Sequence, residues 1–175
     1  MEIAILRYGH RDVRDYRVTS HCSLVARALG AKEIIVCGDE DKSMKKSVDD
    51  VTKRWGGPFK VSFEKSWLNT IKKFRKKGYK IAHLTMYGEQ IQDIEKKLQK
   101  EKKILIIIGS QKVEREVYEN SDFNVSVTKQ PHSEIAALAI MLDRIQKGQE
   151  LEKKFSKAKL EIIPQAKGKK VISLK

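Results

Sequence analysis

The stretch from Asp122 to Ile145 reads D-F-N-V-S-V-T-K-Q-P-H-S-E-I-A-A-L-A-I-M-L-D-R-I, and its periodicity changes twice. Phe123, Val125 and Val127 alternate with Asn124, Ser126 and Thr128, the period of a strand with one face buried. Lys129 to Glu134 then sets polar side chains beside Pro131, a residue that turns the chain. From Ile135 to Leu142 almost every position is apolar. A helix with one apolar stripe lies on a surface, whereas one that is apolar all round is covered on both sides. A strand, a polar elbow and a doubly covered helix make a place to hold a ligand and to pair with a second subunit.

Outward from this stretch, short apolar runs alternate with helical patterns. Strands are predicted at Ile3 to Tyr8, Glu33 to Cys37, Phe59 to Phe63, Ile81 to Met86 and Ile104 to Ile108. Helices are predicted at Ser23 to Leu29, stopped by Gly30, and on the stripes Met44-Val48-Val51-Trp55, Leu68-Ile71-Phe74 and Ile91-Ile94-Leu98. The unbroken run Ile104 to Ile108 fits a central parallel strand covered on both faces. The expected class is α/β, a parallel sheet with helices on both faces, whose ligands sit beyond the carboxyl ends of the strands. Residues 1–148 form the main domain in this reading, and 149–175 a charged linker and a short β-hairpin, Leu160 to Ile163 against Val171 to Leu174.

Lys and Arg number 37 against 23 Asp and Glu, a net charge of +14 over 175 residues. Such a surplus attracts polyanions, nucleic acid first among them. Cys22 and Cys37 match neither a zinc site nor a redox pair and read as buried thiols. No metal is expected. No apolar run reaches the ~20 residues of a membrane span, and the N-terminus begins a strand rather than a signal peptide. A soluble, cytoplasmic protein is expected. No G-x-G-x-x-G, P-loop or H-E-x-x-H motif occurs.

Three segments carry a family resemblance. They are Leu6-Arg7-Tyr8-Gly9-His10-Arg11 with Arg14-Asp15-Tyr16-Arg17 and Thr19-Ser20-His21; His83-Leu84-Thr85-Met86-Tyr87-Gly88; and Gly109 to Val113 through Gln130 to Glu134. Together, in this order, they resemble the archaeal tRNA ribose 2'-O-methyltransferases of the SPOUT class that act on cytidine 56. Ser20 stands where that family often has Thr, and Lys129 where it often has Asn. The resemblance implies a C-terminal trefoil knot, an exception to unknotted folding. It also implies S-adenosylmethionine as methyl donor, tRNA as substrate and a homodimer paired through the knot region.

The cofactor loops map onto Leu84, onto Gly109, Ser110, Gln111, Lys112 and Val113, and onto Val127, Thr128, Lys129, Gln130, Pro131, His132, Ser133 and Glu134. Glu134 has a plain alternative, since a carboxylate suits the first turn of a helix, and His132 has one in a backbone hydrogen bond. Arg7, His10, Arg11, Arg14, Arg17 and His21 lie within 15 residues, from the end of the first predicted strand to the start of the first predicted helix. Arginine forks suit phosphate and ribose oxygens. Arg7, His10 and Arg11 are the expected RNA contacts. The family gives an arginine the role of activating the 2'-hydroxyl, and Arg17 is the first choice, ahead of Arg14. Arginine is a poor proton acceptor, and His21 is the alternative base. The basic runs Lys72 to Lys77 and Lys167 to Lys170 suit an RNA backbone. The rival readings are a basic RNA-binding protein without catalysis and a SPOUT enzyme acting at another RNA position.

Overall fold

The run Ile104 to Ile108 lies at the centre of β5 (Lys103–Gly109) and is wholly buried. The computed structural model describes residues 1–109 and 113–174. β5 pairs in parallel with β1 (Glu2–His10) on one side and β4 (Lys80–Gln90) on the other. With β2 (Glu33–Gly38), β3 (Lys60–Glu64) and β6 (Phe123–Ser126) they form a sheet in the order β3-β2-β1-β5-β4-β6. Every pairing in it is parallel, as the alternating pattern requires.

Successive side chains of a strand point to opposite faces, and the core divides accordingly. Ile3, Ile5, Ile34, Val36, Ile104 and Ile106 pack on α1 (Asp12–Ala28), α2 (Lys42–Trp55), α4 (Ile91–Leu98) and α6 (Glu134–Gln146). Ala4, Leu6, Ile35, Leu105 and Ile107 pack on α3 (Trp67–Lys76) and on Val117 of the short α5 (Arg115–Glu119). The sequence pattern did not signal α5, a helix too short to show a period.

The first helix is longer than its apolar pattern indicates. It begins at Asp12, not Ser23, because the stripe it buries is Asp15, Thr19, Cys22, Ser23 and Ala26. These positions keep helical spacing but are polar or small, so hydrophobic periodicity passes over them. Arg14, Arg17 and His21 therefore sit on a helix and not in a loop.

β7 (Leu160–Ile162) and β8 (Val171–Ser173) form the expected antiparallel hairpin. The segment before it contacts α1 and the end of α2. Gly57 N–H donates to Ser156 O at 2.9 Å, Lys159 N–H donates to Arg54 O at 2.9 Å, and the Arg27 guanidinium lies 5.0 Å from the centre of the Phe155 ring. No helix among the described residues is long and apolar enough to cross a membrane.

Candidate functional site

A cleft of about 890 Å³ opens at the carboxyl ends of β4, β5 and β6. Its apolar wall includes Leu84, Ile108, Val113, Val125, Val127 and Ala137, and its polar rim includes Thr85, Arg115, Tyr118, His132 and Glu134. The cleft exists because β4 breaks register: Leu84 and Glu89 both pair with Val125, so the chain leaves the ladder between them. Thr85, Met86 and Tyr87 line the cleft from this excursion, and Tyr87 is 81% exposed. Gly88 closes the excursion against β6, where an added Cβ would lie 2.4 Å from the carbonyl carbon and oxygen of Asn124. A residue without a Cβ is needed for that approach.

Hydrogen bonds brace one wall. His83 Nδ1 lies 3.0 Å from Asn124 Oδ1, and Asn124 Nδ2 donates to Tyr118 O at 3.1 Å. The Tyr118 hydroxyl lies 3.1 Å from Thr85 Oγ1, and its ring meets His83 edge-on at 4.7 Å between centres. Burial holds the His83 pKa below the ordinary 6.5, opposed by the Asn124 contact.

The other wall rests on Arg7. Its side chain is 0% exposed. Nη1 donates to Gly109 O at 2.6 Å, Nη2 to Glu134 Oε1 at 3.1 Å and Nε to Thr19 Oγ1 at 3.2 Å. One guanidinium thus joins β5, α6 and α1 beside the cleft. His10 Nδ1 lies 2.9 Å from the same Thr19 hydroxyl, and burial followed by the Arg7 charge lowers the His10 pKa. Arg7 and His10, expected at the RNA, are enclosed within the fold; the apolar neighbours of β1 carry them inward. Arg11 stays nearer the surface and pairs with Asp15 at 3.1 Å.

The structure brings together Leu84, Gly109, Val113, Val127, His132 and Glu134 of the sequence-predicted cofactor residues. Thr128, Lys129, Gln130, Pro131 and Ser133 do not line the cleft; they shape the loop beside it. Ser126 Oγ donates to Thr128 O at 2.8 Å, and Gln130 N–H to Thr128 Oγ1 at 3.3 Å. Ser133, not Glu134, caps α6 by accepting the Ile135 N–H at 3.2 Å, which leaves the Glu134 carboxylate for Arg7. His132 makes the anticipated backbone contact, Nδ1 lying 3.1 Å from Ser133 O, while lining the cleft. Ser110, Gln111 and Lys112 lie outside the described residues. Arg14, Arg17 and His21 are exposed on α1 and do not line the cleft. Sequence reasoning missed Ile108, Arg115, Tyr118, Val125 and Ala137 as lining residues, because nothing local marks which strand and helix ends converge.

A strand-end cleft of this size, with an apolar wall and a polar rim, suits a small ligand. The sequence profile of the tRNA ribose 2'-O-methyltransferase family, aTrm56, matches residues 55–172. The tRNA (cytidine(56)-2'-O)-methyltransferase of Thermococcus kodakarensis is 51% identical, over 98% of this chain and 97% of its own length. This chain belongs to that family. The enzyme of the same name from Nitrosopumilus maritimus is 49% identical over 98% of this chain and 96% of its own. Among solved structures, the TrmH/SpoU tRNA modifying enzyme of A. aeolicus superposes with a TM-score of 0.63 at 13% identity, over 86% of this chain and 76% of that one. AviRb of Streptomyces viridochromogenes, solved in complex with AdoMet, superposes with a TM-score of 0.56 at 16% identity, over 83% of this chain and 57% of that longer one. The aTrm56 chain therefore has the SPOUT fold of these methyltransferases.

Proposed function

We propose that this aTrm56-family chain transfers a methyl group from S-adenosylmethionine to the 2'-hydroxyl of cytidine 56 in tRNA. The observation that carries the reading is the strand-end cleft, found in a chain whose near-full-length relatives bear that name. S-adenosylmethionine, when bound, supplies a methyl group on a positively charged sulfur. The residues fit such a group: Leu84, Val113 and Val127 would offer apolar surface for an adenine, and Glu134, held by Arg7 through Oε1, would add a carboxylate to the lining.

The chain's own residues have two tasks in the transfer. The cleft walls hold the donor in one orientation and limit water, and orientation of this kind lowers a barrier by several kcal/mol. Arg17 stabilises the charge that develops on the ribose oxygen as it loses its proton. His21, one turn along α1, is the group able to accept that proton, and Arg14 lies on the same helix. None of these lines the cleft of a single protomer, so the reading requires a second subunit or the bound tRNA to complete the site.

The reading includes a homodimer paired through α6. Ala137, Leu138, Met141 and Leu142 are buried within the protomer, whereas Ala136 and Ile140 on the same helix are exposed. On α1, Val13 and Tyr16 are exposed, and α1 packs directly on α6. These faces support a common interface. A trefoil knot near the C-terminal end of the sheet is part of the reading, as is action in the cytoplasm. Of the basic run on α3, Lys73 is paired with Glu64 and Arg75 with Asp122. Lys72 and Lys76 remain, with Lys167, Lys169 and Lys170 of the hairpin turn, as exposed cations for an RNA backbone.

Labelled S-adenosylmethionine, offered with unmodified tRNA transcripts carrying C56 or another base there, tests the reading. Label recovered as 2'-O-methylcytidine from the C56 transcript alone supports it. Label in both transcripts discards the position, and no label with intact RNA binding favours a non-catalytic RNA-binding protein.

A further inference from the structure

A second constellation lies at the carboxyl ends of β1 and β2, outside the cleft. His10 closes β1, Asp12 opens α1, and Asp41 is the N-cap of α2. Their donor atoms all lie within 4.8 Å of one another. His10 and Asp41 are 1% and 3% exposed, yet each holds a buried polar atom with no partner among the described residues: Nε2 of His10 and Oδ2 of Asp41. The other polar atom of each is engaged. Asp41 Oδ1 accepts the Met44 N–H at 2.8 Å, and His10 Nδ1 faces Thr19 Oγ1 at 2.9 Å. Orphaned buried groups are costly, so two beside each other call for an occupant.

We propose that His10 Nε2, Asp12 and Asp41 Oδ2 bind one divalent transition-metal ion, against the metal-free expectation from sequence. An imidazole with two carboxylates suits Zn²⁺ or Mn²⁺ better than Mg²⁺, which prefers oxygen and water. Two carboxylates neutralise the ion's charge, and three protein ligands leave a position for water. Ligand bonds of about 2.0–2.2 Å require these donors to close in from separations of up to 4.8 Å. Asp12 is exposed and can turn inward, while its backbone N–H stays on Asp39 Oδ2 at 3.1 Å.

The hydrogen bonding around His10 agrees. The Thr19 oxygen accepts the Arg7 Nε–H and has a second lone pair for a proton on His10 Nδ1. That tautomer leaves the Nε2 lone pair for the ion, the arrangement in which the outer hydrogen bond of a metal-bound imidazole fixes its ring. The ion would clamp the start of α1, the helix bearing Arg14 and Arg17, to β1 and α2. Through Thr19 it would also steady Arg7, and with it Gly109 and Glu134. Metal binding at this place does not depend on the chain's transferring a methyl group.

The test uses the full chain, stripped with a chelator, and titrates ZnCl₂ and MnCl₂ separately by calorimetry. Asp12→Asn alters an exposed side chain, and Asp41→Asn keeps an acceptor for the α2 cap, so both should fold. The expected result is one ion per chain, a metal-dependent rise in Tm, and an affinity at least about tenfold weaker in each variant. Pulsed electron paramagnetic resonance of the Mn²⁺ form should show a coordinated imidazole nitrogen. No saturable binding at millimolar metal, or binding equally tight in both variants, overturns the site.

Discussion

Arg7 shows how a single side chain is committed by its surroundings. Its three hydrogen bonds run to Gly109 O, Glu134 and Thr19, directions that a lysine ammonium cannot reproduce with a planar fork. Arg7→Ala leaves the Glu134 carboxylate and the Gly109 carbonyl without their partner and should cost about 3 kcal/mol in urea unfolding, the lower end for breaking a buried pair because Glu134 is partly exposed. His83 gives a pH dependence. Its folded pKa lies below the ordinary 6.5, so the unfolded chain takes up the proton first. The stability contribution is therefore full above about pH 6.5 and is lost as pH falls through the lower folded value. Denaturation midpoints measured from neutral to mildly acidic pH should fall, and His83→Asn should flatten part of that slope. Gly88→Ala places a carbon 2.4 Å from Asn124 backbone, which forces β4 from β6 at the cleft. A loss of about 2 kcal/mol or more in denaturant is expected, with weakened binding of S-adenosylmethionine.

Among the elements, α1 and α6 were legible to different degrees. The apolar residues of α6 are dense enough to reveal a helix covered on more than one side. The structure assigns Leu138, Met141 and Leu142 to the protomer core and leaves Ala136 and Ile140 outside it. Leu138 is fully buried, and Leu138→Ala should destabilise by about 3 kcal/mol through lost transfer energy and a cavity. The α1 helix hid its first turns behind a polar buried stripe. Cys22 belongs to that stripe, and burial pushes its thiol up to about 12, while that of Cys37 on β2 rises to about 11. Since the thiolate is the reactive form, neither should react with a thiol reagent at mildly alkaline pH until the protein unfolds. Rapid labelling of the native chain would contradict this packing.

At the scale of the molecule, the +14 charge and the exposed faces of α1 and α6 are the properties left for other molecules. Ile140 is 43% exposed. If α6 pairs two copies of the chain, Ile140→Arg should shift sedimentation equilibrium from dimer to monomer while leaving the monomer's denaturation midpoint nearly unchanged. If methyl transfer needs the second subunit, activity disappears with the dimer. Affinity for tRNA should fall steeply with salt, since contacts to phosphate release counterions. Substituting Lys167, Lys169 and Lys170 together by Ala should reduce that slope without changing which nucleotide is methylated, because phosphate contacts position RNA and do not select its bases.

The sequence by itself determined the α/β class, the doubly buried β5, the terminal hairpin and the family segments. These depend on local period, composition and motif, which a chain displays before it folds. It also indicated the cleft side of β5 and the loop before α6. Only the tertiary structure decided that α1 begins at Asp12, that Arg7 and His10 turn inward, and that His83, Asn124 and Tyr118 brace a wall. It alone brought Asp41 beside His10 and Asp12. Each of these outcomes depends on residues distant in the chain meeting across the sheet, where burial and hydrogen-bond satisfaction set the role of a polar side chain and hydrophobic periodicity carries no signal.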